Sequence, residues 1–194
     1  MSEQSPWMLV GLGNPGSKYA GNRHNVGFAV ADAFAGSHSV PGTPWRSKWE
    51  AQVQSVRGDF GRCVVLKPQT FMNASGKAVA AAAKFHAVPP GRIVVAHDEL
   101  DFAFGRIAIK DGGGHGGHNG LRDIVACTGT RDFLRLRFGI GRPPHGDVTR
   151  WVLSDFQDVD AAELPDRIDD ARRAINLILT DGVRAAMNTT NQVS

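Results

Sequence analysis

Trp7-Met8-Leu9-Val10-Gly11-Leu12-Gly13-Asn14-Pro15-Gly16 is the stretch that decides the fold class. Four apolar residues closed by a glycine- and proline-rich turn read as a short strand. The next regular segment, residues 26–34, carries an apolar stripe at helical spacing, so strand gives way to helix. The alternation continues outward from there. Residues 52–56 and 61–66 read as paired strands around Gly58-Asp59. Residues 75–86 are alanine-rich and helical, ended by Pro89-Pro90-Gly91. Residues 93–96 form a buried strand and 121–126 a helix. Residues 133–140 alternate apolar side chains with Arg135, Arg137 and Gly139, as a strand with one polar face does. Residues 141–149 are rich in proline and glycine and read as a long mobile loop. Residues 160–179 form a final amphipathic helix stopped near Gly182. There is no repeat and no internal linker. The expected architecture is a single α/β domain over residues 1–194, a twisted mixed β-sheet flanked by helices, with a polar N-terminal extension at 1–6.

Composition narrows the class. The chain has 194 residues, 42% apolar and 21% charged, an ordinary globular balance. No window approaches the roughly 18 apolar residues of a membrane span, so no membrane association is expected. Residues 1–6 lack a basic region leading into an apolar run, so no signal peptide is expected. The two cysteines make no framework: Cys63 sits in the apolar run Cys63-Val64-Val65-Leu66 and reads as core. A reduced, cytoplasmic protein is the expectation. Net charge is +3 but segregated: residues 106–150 hold eight Lys and Arg against four acids, and 155–181 hold eight acids against three arginines. A basic stretch of this kind is a solvated face or the footprint of an anionic partner.

Beside that basic stretch lies Gly112-Gly113-Gly114-His115-Gly116-Gly117-His118-Asn119-Gly120, six glycines in nine positions. Glycine inside an element costs about 0.5–1 kcal/mol relative to alanine, so repeated glycine marks backbone that approaches something closely or adopts φ > 0. The run is preceded by Lys110 and followed by the 121–126 helix. It reads as a ligand-approaching loop entering a helix, with His118 and Asn119 at the entrance.

Gly11-Leu12-Gly13-Asn14-Pro15-Gly16 matches G-x-G-x-x-G after a strand and so admits a nucleotide-dependent reading. Three features weaken it. Pro15 and the polar residues 17–22 delay the helix, Asp32 falls inside a helix rather than at a second strand end, and Ser17-Lys18 reverses the order of a P-loop. Polar clusters do gather where α/β sheets bind ligands, beyond strand ends. They are Asn14, His24-Asn25, Phe71-Met72-Asn73, His97-Asp98-Glu99-Leu100-Asp101 and His118-Asn119. Each residue alone also has a structural reading, as cap, turn residue or surface histidine. No G-x-S-x-G elbow is present, no cysteine is placed as a nucleophile, and H-E-x-x-H and C-x-x-C are missing. These spacings disfavour a metal site, and water activated by a histidine remains the simplest hydrolytic chemistry.

Taken together, the clusters resemble the bacterial peptidyl-tRNA hydrolases. The resemblance rests on residues 10–16, Tyr19, Arg23-His24-Asn25-Val26-Gly27, residues 67–76, residues 97–101, residues 112–120 and residues 135–141, in the family's order, and spans about Met8 to Asn188. It implies a monomeric enzyme without a cofactor that cleaves the ester between a peptide and the 3′ ribose of tRNA, recycling tRNA. His24 matches the family's catalytic histidine and Asp98 its partner carboxylate. Asn14, Asn73 and Asn119 match the site asparagines, His118 a neighbouring histidine, and Tyr19 and Met72 residues that line the site. Lys110 and Arg137 match a basic clamp on the tRNA 5′-phosphate. One departure is Ala108, where a family lysine often stands; Arg106 is the nearest compensating cation. A non-catalytic RNA-binding relative and a nucleotide-dependent enzyme built on residues 11–16 are the rival readings.

Overall fold

A computed structural model describes residues 5–192; part of the expected N-terminal extension, residues 1–4, lies outside the described residues. The elements in chain order are β1 (Trp7–Gly11), α1 (Val26–His38), β2 (Arg46–Lys48), β3 (Ala51–Gly58), β4 (Gly61–Pro68), α2 (Gly76–His86), β5 (Ile93–Glu99), β6 (Ile107–Asp111), α3 (Asn119–Thr128), β7 (Leu134–Gly139), α4 (Val148–Val152), α5 (Asp158–Asp181) and α6 (Val183–Thr190). The strands form one seven-stranded sheet in the order β2-β3-β4-β1-β5-β7-β6. Strands β4, β1, β5 and β7 run parallel. Strands β2, β3 and β6 join antiparallel at the two sides, which makes the sheet mixed.

The central strands are apolar throughout because both of their faces are covered. Trp7 and Leu9 of β1 face one core with Phe34 of α1 and Ile175 and Ile178 of α5. Met8 and Val10 face the other, with Val79 of α2 and Ile124 of α3. The period of two therefore divides one apolar run between two cores. Phe34 is fully buried, and its truncation to alanine should cost about 3–5 kcal/mol.

Two glycines let the first helix approach the sheet. A Cβ on Gly27 would lie 2.4 Å from the carbonyl of Ala96, and one on Gly11 would lie 2.3 Å from the carbonyl of Gly27. Contacts that short exclude any side chain. The start of α1 is thereby set against the ends of β1 and β5, and the turn carrying His24 comes with it.

Five features depart from the expected pattern. Strands β2 and β6 and helix α6 were not expected. All three residues of β2 are exposed and polar, so it has no apolar signature, and α6 begins directly after the glycine that ends α5. The 141–149 loop is irregular only as far as Asp147, whose side chain accepts from the Thr149 N–H and starts α4. On β7, Arg135 is no part of a solvent-facing polar face: it is 2% exposed.

Candidate active site

The carboxyl ends of the parallel strands open onto a cavity of about 720 Å³ lined by Asn14, His24, Met72, Asn73, Asp98 and His118, among others. Each arrives on a different element. Asn14 follows β1, Met72 and Asn73 lie in a 3-10 turn after β4, and Asp98 is the penultimate residue of β5. His24 lies in the 3-10 turn Arg23–Asn25 that leads into α1, and His118 is the N-cap of α3.

Asp98 is the centre of the arrangement. Both of its carboxylate oxygens lie 2.9 Å from Nδ1 of His24, and Oδ1 also lies 2.9 Å from Nε2 of His118. The two imidazole centroids are 5.2 Å apart. Burial alone would raise the Asp98 carboxyl, but the charges and hydrogen bonds of His24 and His118 outweigh it and hold the group well below the usual carboxylate range. The ring states follow from the partners. Nδ1 of His118 accepts from the N–H groups of Gly120 and Leu121, so its proton resides on Nε2 and is donated to Asp98. His24 donates its Nδ1 proton to the same carboxylate, which leaves Nε2 as a base. That atom has no hydrogen-bond partner among the described residues, and His24 lines the cavity.

Asn14 and Asn25 form a second group. The Asn25 carboxamide accepts from the Asn14 N–H and donates to the Asn14 carbonyl, both at 2.9 Å. The Asn14 side-chain oxygen in turn accepts from the Met72 N–H at 2.8 Å. Its NH2 makes no hydrogen bond to the described residues and remains available to the cavity. Asn73 and Asn119 are exposed on the cavity wall, Asn119 as the first residue of α3.

Other expected residues are placed differently. Tyr19 is half-buried against Phe71, edge to face at 6.4 Å, and does not line the cavity. Lys110 is exposed on the cavity wall. Arg137 shares that wall but is engaged: its Nε donates to Glu99 at 2.9 Å and its guanidinium lies 4.2 Å from the Phe102 ring centroid. Arg106 stacks on the same ring at 4.4 Å, while Ala108 is buried opposite Arg137 in the β6–β7 ladder.

Three residues that the sequence places only within clusters or a strand pattern also belong to the site. Asn25 stands beside His24 in the motif, but its amide clamp on Asn14 is visible only in space. His97 is buried, donates Nδ1–H to the Asp98 carbonyl at 2.8 Å and packs edge-on against His118 at 4.9 Å. Burial, followed by the neighbouring His118, lowers its pKa to about 3. Arg135 reads in the sequence only as a polar-face residue of its strand. His97 carried a signal in its place beside Asp98; the other two had none beyond adjacency.

His24, Asp98 and His118 offer three ligand atoms within 4.8 Å of one another, enough to hold a metal ion. A metal there would have to displace the protons that His24 and His118 donate to Asp98.

The family model described as peptidyl-tRNA hydrolase matches residues 8–194. A peptidyl-tRNA hydrolase of Pseudarthrobacter chlorophenolicus is 46% identical over 93% of this chain and 92% of its own length. One of Mycolicibacterium smegmatis is 46% identical over 96% of this chain and 97% of its own. The crystal structure of peptidyl-tRNA hydrolase from Acinetobacter baumannii superimposes with a TM-score of 0.89 at 37% identity, covering 99% of this chain and 97% of that one. A likeness of this extent, in sequence and in fold, makes the chain a member of the peptidyl-tRNA hydrolase family.

Proposed function

We propose that the chain hydrolyses the ester between a peptide, or another N-blocked aminoacyl group, and the 3′ ribose of tRNA, using a water activated by His24. One observation carries this reading: Nδ1 of His24 is fixed on buried Asp98, and Nε2 has no partner among the described residues, in a ring that lines the cavity. A water bonded to Nε2 loses its proton to the ring as its oxygen attacks the ester carbon. Asp98 stabilises the imidazolium that forms. The proton then passes to the departing ribose oxygen, which gives a free carboxyl and a tRNA hydroxyl. Proton transfer by a positioned base contributes about 10²–10⁴ in rate.

The carbonyl oxygen gains charge in this step. The amide NH2 of Asn14, with Asn73 and Asn119 on the same wall, supplies neutral donors for it, and one such donor is worth about 2.7–4 kcal/mol. Asparagine both donates and accepts, which suits a peptide backbone read without its side chains. A substrate with a free, charged α-amino group would leave such groups unpaired and is disfavoured. Lys110 meets a tRNA phosphate, and Arg137 joins it on exchanging Glu99 for that anion. Tyr19 acts one layer out, by holding Phe71. One copy of the chain supplies every group in the scheme, which needs no cofactor and suits a cytoplasmic monomer.

The test is release of N-acetyl amino acid from N-acetyl-aminoacyl-tRNA in the presence of a chelator. Turnover is expected there and not with free aminoacyl-tRNA. A protein that binds the tRNA without turnover would be a non-catalytic relative.

A further inference from the structure

A buried cation lies under the glycine run. Arg135 is 2% exposed and ranks among the largest fully buried side chains. Its Nη1 donates to the Gly114 carbonyl at 2.6 Å and its Nη2 to the Gly113 carbonyl. Its Nε is buried without a partner among the described residues. No carboxylate of the described residues pairs with it. Burial first, then the charges of Arg137 and Arg131, lower its pKa. A buried guanidinium held by two carbonyls and the Phe133 ring, 4.8 Å from its centroid, with no carboxylate partner among the described residues, is costly to keep.

The run it grips has unusual conformational freedom. Gly112, Gly113, Gly116 and Gly117 all have positive φ, where only glycine is comfortable and where its freedom in the unfolded chain is greatest. At Gly113 a Cβ would lie 2.7 Å from Cε of Lys110 and 3.5 Å from Nη1 of Arg135, so the loop backbone fits directly over both cations. The run then passes through a turn closed by the His118 N–H to the His115 carbonyl, at 2.9 Å, and ends in His118 on Asp98.

We propose that Arg135 is a positioning residue for the reaction: its planar fork on the Gly113 and Gly114 carbonyls fixes the glycine run so that His118 stays on Asp98 and Asn119 faces the ester. Arg135 lines the cavity, but its fork is committed to the two loop carbonyls, and the inference rests on the function proposed above. A fork that engages two carbonyls at once is a property of arginine that lysine lacks.

Arg135→Met keeps much of the buried length and removes the fork; Arg135→Lys keeps the charge alone. Wild-type turnover on N-acetyl-aminoacyl-tRNA is measured first, and its absence would sink the function. Backbone amide exchange at residues 113–119 reads Arg135 independently of turnover. In Arg135→Met, exchange at 113–119 should accelerate at least about tenfold while β1 and β5 amides stay protected. Its kcat should fall at least about tenfold, equally on full-length substrate and on an N-acyl ester of the 3′-terminal nucleotide, with KM within about threefold. Arg135→Lys should recover less than half of the lost kcat, on a logarithmic scale. Unchanged exchange, unchanged kcat, or a rise confined to KM would overturn the proposal. If Arg135→Met does not fold, Arg135→Lys decides by the same two measurements.

Discussion

Asp98→Asn separates the two imidazoles that share this carboxylate. The variant side chain has one oxygen and one NH2 where the native group has two acceptors. His118 dictates their orientation, because the Gly120 and Leu121 N–H groups hold its Nδ1 as an acceptor and its Nε2–H therefore needs an oxygen at the Oδ1 position. The NH2 then falls at the Oδ2 position, 2.9 Å from Nδ1 of His24, and the one oxygen left within 2.9 Å of that atom already accepts from His118. Donor meets donor, and His24 relieves the conflict by moving its proton to Nε2, the atom that must accept from water. The charge that stabilised the imidazolium is lost as well. Together these should lower kcat by about 10²–10⁴, with little change in fold because the shape is conserved. The assay is single-turnover hydrolysis of N-acetyl-aminoacyl-tRNA, with circular dichroism and Tm as controls on folding. Removing the demand of His118 should free the amide to rotate, so Asp98→Asn/His118→Ala should be faster than the product of the two single effects. A folded Asp98→Asn protein within about tenfold of wild type, a barrier change of only 1.4 kcal/mol, would show that Asp98 does not set the tautomer of His24.

Other changes probe separate parts of the account. Asn14→Asp keeps an oxygen for the Met72 N–H but removes the NH2 that serves the cavity; kcat should fall about 10²–10³ with Tm nearly held, and full activity would remove Asn14 from carbonyl stabilisation. Lys110→Ala should raise KM for full-length peptidyl-tRNA, leave kcat nearly unchanged and flatten the slope of log K against log salt by up to about one unit. The same change should leave an N-acyl ester of the terminal nucleotide unaffected, and equal losses on both would place Lys110 at the ester instead. His97 is neutral in the fold to about pH 3, while the unfolded chain binds its proton from the ordinary 6.5 downward, so its contribution is present above 6.5 and is lost as pH falls between those values. Urea unfolding should therefore show wild type losing up to about 1.4 kcal/mol more per pH unit than His97→Asn between pH 6.5 and 4.5, and parallel curves would contradict a buried neutral His97.

The parallel centre of the sheet is legible in the sequence because strands covered on both faces leave unbroken apolar runs, as at residues 7–10 and 93–96. The flanks are not. Strand β2 is Arg46-Ser47-Lys48, fully exposed, and only its pairing with Ala51, Gln52 and Val53 makes it a strand. At the site, His24, Asp98 and His118 stand out as residue types beside strand ends and glycines. Their convergence on one carboxylate does not, since His24 and His118 lie 74 and 20 residues from Asp98 and meet it through the docking of α1 and α3. Charge alternation misled at β7, where Arg135 and Arg137 share a spacing but not an environment. One is buried under loop carbonyls and the other is half-buried on Glu99, and a period of two cannot distinguish a solvated face from a covered one.

The central claim is that the base is Nε2 of His24. Its most direct test is single-turnover hydrolysis of N-acetyl-aminoacyl-tRNA by His24→Ala protein, beside a binding titration of the same substrate. The account predicts a loss of at least about 10²-fold in the hydrolytic step, the lower end of the contribution of a positioned base, with Kd changed by no more than about threefold. Hydrolysis at a near-wild-type rate by folded His24→Ala protein would contradict it.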